Sequence, residues 1–138
     1  MATYMAVARS NYFTVKDLPA FVGEATRYGL CVKHPTSDDQ QHQGLVMIHP
    51  EDGGWPGFIW DEEDADGNPL DFDAAAWVAT HLIEGSVAVL QEVGFEKLRY
   101  LVGYAVAVNS AGETRRVSLD DLGEQAQELG RQVTEVSY

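Results

Sequence analysis

A chain of 138 residues with 45% hydrophobic and 10% aromatic content carries enough apolar material for one core, and fits a single domain spanning 1–138. Its one cysteine, Cys31, excludes an intramolecular disulfide, and no run approaches the roughly 18 unbroken apolar residues of a membrane-spanning helix. A net charge of −13 argues against direct nucleic-acid binding, because phosphate backbones require Lys and Arg partners.

The segment Met1 to Ser10 lacks the basic start and apolar run of a secretion signal, so a cytoplasmic location is expected. In "MAVARSNYFTV" the residues Met5, Val7, Phe13 and Val15 share a period-two phase, which predicts a strand or a pair of strands. Asp17 then caps a helix whose apolar residues Leu18, Phe21, Val22, Ala25 and Tyr28 recur at helical spacing, and Gly29 sits where a left-handed terminating residue is wanted. "LCVKH" and "LVMIH" read as short strands separated by the loop "PTSDDQQHQ".

Gly53, Gly54, Pro56 and Gly57 place Trp55 in a turn, after which "FIW" predicts a strand leading into the acidic tip "DEEDADGNP". Asp71 or Asp73 can accept hydrogen bonds from the first backbone amides of a helix running to about Glu84 and stopped by Gly85. Trp77, Val78, Leu82 and Ile83 are its expected core residues. "SVAVLQEV" and "LRYLVGYAVAVN" are the strongest strand signals, joined by a turn around Gly94 to Lys97. The second is apolar on both faces, which predicts a central strand. "NSAGE" turns the chain into "TRRVS", and Ser118 with Asp121 caps a last helix bearing Leu119, Leu122, Ala126 and Leu129. Sequential strands joined by short turns imply an α+β fold: a mainly antiparallel sheet with about three helices packed on one face or at its ends.

Cys31, His34, His42 and His49 supply metal-ligand chemistry within nineteen positions. Residues three apart on an extended strand point to opposite sides, so Cys31 and His34 cannot share an ion, and no metal or cofactor is expected. Glu62, Asp64, Asp66, Gly67 and Asp73 fall at the first, third, fifth, sixth and twelfth places of a calcium loop. Glu at the first place, Asp at the last, Pro69 at the eighth and a strand in front all depart from that pattern, and a hairpin tip with Asp66 and Gly67 in its turn is the simpler reading. No nucleophile elbow, phosphate-binding glycine loop or zinc-protease helix is present, so no catalytic residue is assigned.

The charge distribution is more informative. Residues 34–96 contain fourteen carboxylates and no Lys or Arg. Within 51–73, Glu51, Asp52, Asp61, Glu62, Glu63, Asp64, Asp66, Asp71 and Asp73 accumulate without a compensating cation, beside Trp55 and Trp60. Such a density costs stability through self-repulsion. It suits a surface that meets a basic groove, where carboxylates take phosphate positions and the two tryptophans supply apolar anchoring. The solubilising face of an acidic protein is the plainer alternative.

The runs "SNYFTVKD", "GGWPGF" and "EVGFEKLRYLVGYAVAVNSAGE" make most of the chain resemble small uncharacterised acidic proteins borne by bacterial phages and plasmids. The resemblance implies a neighbourhood that includes anti-restriction and anti-CRISPR inhibitors, several of which imitate DNA. The expectation is a non-enzymatic inhibitor with a basic, nucleic-acid-handling protein partner, such as a defence nuclease or CRISPR complex, and no membrane contact. A small enzyme or calcium module built on the 61–73 carboxylates, or a toxin-neutralising immunity protein, are the alternatives.

Overall fold

A computed structural model describes residues 4–36, 44–97, 100–134 and 136, with the side chains at 60 and 61 left out. Among the described residues nine strands form three antiparallel sheets. β1 (Met5–Ser10), β7 (Val87–Glu96), β8 (Tyr100–Asn109) and β9 (Thr114–Ser118) make a four-stranded sheet in the order β1-β7-β8-β9. β2 (Phe13–Thr14), β4 (Leu45–Pro50) and β3 (Leu30–Lys33) make a second in the order β2-β4-β3, and β5 (Phe58–Glu63) pairs with β6 (Pro69–Asp71) as a hairpin. Three helices are interspersed, α1 (Leu18–Arg27), α2 (Ala74–His81) and α3 (Leu122–Ala126), the last preceded by a 3-10 turn over Leu119–Asp121. The fold is mixed, mainly antiparallel sheet, and among the described residues no helix is long and apolar enough to cross a membrane.

α1 has the predicted caps. The Asp17 carboxylate accepts from the Ala20 amide at 3.1 Å, Pro19 occupies the first turn, where a missing N–H costs nothing, and Gly29 follows with φ 75°. Phe21 and Ala25 are buried while Leu18 and Tyr28 pack beside them. α2 is capped by Asp73, whose carboxylate accepts from the Ala76 amide at 3.2 Å. It stops at His81, three residues before the expected Glu84, because Leu82 is extended and bridges Val15. The Lys16 amide donates to the His81 carbonyl and the Ile83 amide to the Thr14 carbonyl, so the chain leaves the helix to pair with the end of β2. Leu82 is buried, whereas Ile83 is exposed rather than in the core.

One hydrophobic cluster joins the two larger sheets and both longer helices. Ala88 and Leu90 of β7 and Val108 of β8 meet Trp77 and Val78 of α2, and Phe13, Val46 and Ile48 of the second sheet. At its centre Phe21 stacks on Trp77 with ring centroids 4.7 Å apart and planes 14° from parallel. This offset stacking adds about 1 kcal/mol to the area each ring removes from water.

Three further expectations are corrected. Met5 and Val7 are exposed while Phe13 and Val15 are buried, so the shared phase breaks between β1 and β2. Asn11 is the cause: its side chain donates to the Val87 carbonyl and accepts from the Val89 amide, extending the β1 pairing before the chain crosses to the second sheet. The turn expected at Gly94 to Lys97 begins only at Lys97, because Gly94 is paired in register with Val102. The last helix ends at Ala126 and buries nothing, with Leu119, Leu122 and Leu129 all exposed. β8 is central as expected, flanked by β7 and β9.

Candidate functional site

The β5–β6 hairpin owes its shape to the acidic residues of its own turn. The Asp64 carboxylate accepts from the amides of Asp66 at 2.8 Å and Asn68 at 3.0 Å, the Asp64 amide donates to the Asn68 carbonyl at 2.8 Å, and Gly67 takes φ 82°. Phe58 pairs with Asp71 and Ile59 with Leu70, and an irregular register between Ile59 and Glu63 bends β5. The result is a shallow hollow of about 520 Å³ lined by Phe58, Pro69, Leu70, Asp64, Asn68 and Asp71. Its lining combines apolar residues with the carboxylates of Asp64 and Asp71.

The sequence-predicted residues divide by role. Asp64 shapes the turn and Asp73 caps α2, so both carboxylates act within the chain. Glu62 forms an ion pair with Arg27 of α1, a cation from outside the 34–96 segment. Glu51 and Asp52 are exposed in the β4–β5 connection, and Glu63, Asp66 and Asp71 are exposed on the hairpin. The side chains of Trp60 and Asp61 lie outside the description. Trp55 does not stand free as an apolar anchor: it packs against the core, its amide donates to Glu92 Oε1 at 2.8 Å and its indole N–H to the Gln91 carbonyl at 3.2 Å. Phe58, 48% exposed and lining the hollow, is an aromatic that the described part of this segment presents.

Glu92 was not singled out by sequence reasoning, yet it organises this side of the molecule. It points inward from β7 and is 8% exposed. Its carboxylate accepts from the phenols of Tyr4 at 2.8 Å and Tyr104 at 3.2 Å as well as from the Trp55 amide. A side chain at Gly54 would run into that carboxylate, so the β4–β5 connection needs glycine there to approach β7. Burial and the Glu92 charge push the pKa values of Tyr4 and Tyr104 up from 10.0 to about 12, and the Arg116 guanidinium, 4.4 Å from the Tyr104 ring centroid, opposes the shift at Tyr104. The legible signal was period-two spacing, since Glu92 shares the inward phase of Ala88 and Leu90. With both carboxylate oxygens engaged, this cluster fastens the connection bearing Glu51 and Asp52 to the sheet.

Cys31 and His49 are direct partners across β3 and β4, a juxtaposition that linear spacing concealed. His49 Nδ1 lies 2.8 Å from the Pro50 carbonyl, His34 is exposed, and His42 lies outside the described residues. Among the described residues no three His, Cys, Asp or Glu side chains converge as a metal site would require. The calcium-loop pattern falls on a hairpin flanked by strands, and its third-place carboxylate, Asp64, is engaged by its own turn.

No protein-family model matches this chain, and no curated protein or solved structure is significantly similar to it.

Proposed function

We propose that the chain is a non-enzymatic binding protein that presents the β5–β6 hairpin to a basic, nucleic-acid-handling protein and occludes the surface where that partner holds phosphates. A bacterial defence nuclease or CRISPR complex is the partner class the acidic surface fits. The observation that carries this reading is the hollow where exposed Phe58 and Asp71 share one face of the hairpin with Asp64 and Pro69 in the lining, beside exposed Glu63 and Asp66. Lys and Arg side chains have an aliphatic stem and a cationic head, and an exposed aromatic ring beside carboxylates accommodates both parts.

The separation of roles decides which residues to test. Neutralising Asp64, Asp73 or Glu62 would disturb the turn, the α2 cap or the Arg27 pair, so a loss of binding there would be ambiguous. Glu63→Gln, Asp66→Asn and Asp71→Asn, combined, leave those interactions in place. Immobilised protein should capture purified DNA-cleaving nucleases or CRISPR effectors in a complex that duplex DNA displaces and salt weakens, and the triple variant should weaken capture about tenfold or more. Capture that ignores both DNA and the triple variant would rule out occlusion by this hairpin.

A further inference from the structure

The four-stranded sheet has two unlike faces. Inward positions of β7 and β8 meet α2 and the second sheet, but outward positions carry Met5, Val7, Val93, Phe95, Leu101 and Val117, which are 43–72% exposed. The register makes them neighbours: Met5 pairs with Phe95 and Phe95 with Leu101, Val7 with Val93, and Val117 with Ala105 beside them. Leu119 adds to the same patch by lying over Gly103, where any side chain would collide with it. Together these residues present on the order of 700 Å² of contiguous apolar surface, more than monomers usually leave in water and close to the ~800 Å² per partner of a standard specific interface.

We infer that this outer sheet face is the contact surface of a symmetric dimer, and that its occupant is a second copy of this chain. Charge placement is compatible with a copy meeting on this face. The chain carries −13, so two copies repel wherever their carboxylates approach, but none of the outward positions of β1, β7, β8 and β9 holds an acidic residue. The charged residues at these outward positions are Arg9 and Arg115, on the two edge strands, and Glu51 and Asp52 border the face beside Val7 and Arg9. These border carboxylates, with Asp120 next to Leu119, are available to the arginines of the partner copy. A twofold axis lying between the two sheets makes one patch serve both sides, and two such faces stack about 10 Å apart as in a β-sandwich. Edge-to-edge pairing through β9 is disfavoured, because Arg115 and Arg116 of two copies would be set beside each other.

Sedimentation velocity of the intact chain over a wide concentration range tests this, with circular dichroism confirming the fold of each variant. The wild type should sediment at twice the monomer mass. Val93→Asp buries a charge in each half of the interface and should raise the dimer dissociation constant about tenfold or more. The pair Val7→Thr and Val93→Thr keeps β-branched shapes on the strands and should weaken the dimer in the same direction, so a folding defect in the aspartate variant would not leave the question open. Wild type at monomer mass throughout would overturn the inference and leave the face to a different partner. A dimer indifferent to both variants would overturn it too, by placing the contact elsewhere.

Discussion

Glu92 is a carboxylate on a strand whose neighbouring inward residues are Ala88 and Leu90, and it is tolerated because three donors converge on it. Glu92→Ala removes the acceptor of the Tyr4 and Tyr104 phenols and of the Trp55 amide at once, and should cost about 2–3 kcal/mol in urea unfolding. Glu92→Gln keeps one acceptor oxygen and should cost less. The same network sets an alkaline limit. Tyr4 and Tyr104 have folded-state pKa values raised from 10.0 to about 12, so above pH 10 the unfolded chain releases phenolic protons that the folded chain still binds. Their contribution is therefore complete below pH 10 and is lost as pH rises through about 12. Tyr4 is 40% exposed, so solvent screening reduces its share and Tyr104 dominates. Ultraviolet titration should find Tyr4 and Tyr104 ionising late. In Glu92→Gln both should move back toward the ordinary value without reaching it, since burial is the larger cause.

Helix and hairpin ends depend on single carboxylates. Asp73→Ala removes the α2 cap and should cost about 1 kcal/mol, and Asp64→Ala, which frees two turn amides, a similar amount; Asp66→Asn should cost nothing measurable. Thermal melts of the three variants check the ranking. These caps are also what made the elements readable in sequence, since Asp17, Gly29, Asp73 and the Asp66-Gly67 turn act through their immediate neighbours. Elements fixed by distant partners were less legible. β1 and β2 keep one phase on paper, but Asn11 spends its side chain on β7 and carries the chain between sheets, which reverses the face presented. α2 has helical composition through Ile83, yet its last residues pair with β2 instead. The stripe of Leu119, Leu122, Ala126 and Leu129 predicted a packed helix, but of these Leu119 alone is shown against the sheet, over Gly103, while Leu122 and Leu129 are exposed, and Gly123 weakens the helix from within. For the candidate site, the acidic density was legible, while the split between carboxylates that build the fold and carboxylates that face solvent required the hydrogen bonds.

Over the whole molecule, the excess of negative charge works against folding. Residues 34–96 hold fourteen carboxylates and no Lys or Arg, and the Arg27–Glu62 pair relieves one of them. At about 10 mM salt the screening length is roughly 30 Å, comparable to the width of a small domain, so nearly all these charges repel one another; at 1 M it falls to about 3 Å and only neighbours do. Relief of about 1 kcal/mol corresponds to roughly 3–5 °C for a chain of this size, and the melting temperature should rise by at least that much between those salt concentrations. Protein concentration must be held fixed, because association through the outer sheet face would add its own stabilisation. If repulsion within the hairpin is the main source, Glu63→Gln, Asp66→Asn and Asp71→Asn together should raise the low-salt melting temperature and flatten the salt dependence. A variant more stable than the parent but poorer at holding a basic partner would then tie the destabilising charge to binding, because no folding requirement maintains those three carboxylates. A melting temperature indifferent to salt in both proteins would mean that the charges lie too far apart to repel, and would remove the density argument on which the acidic surface rests.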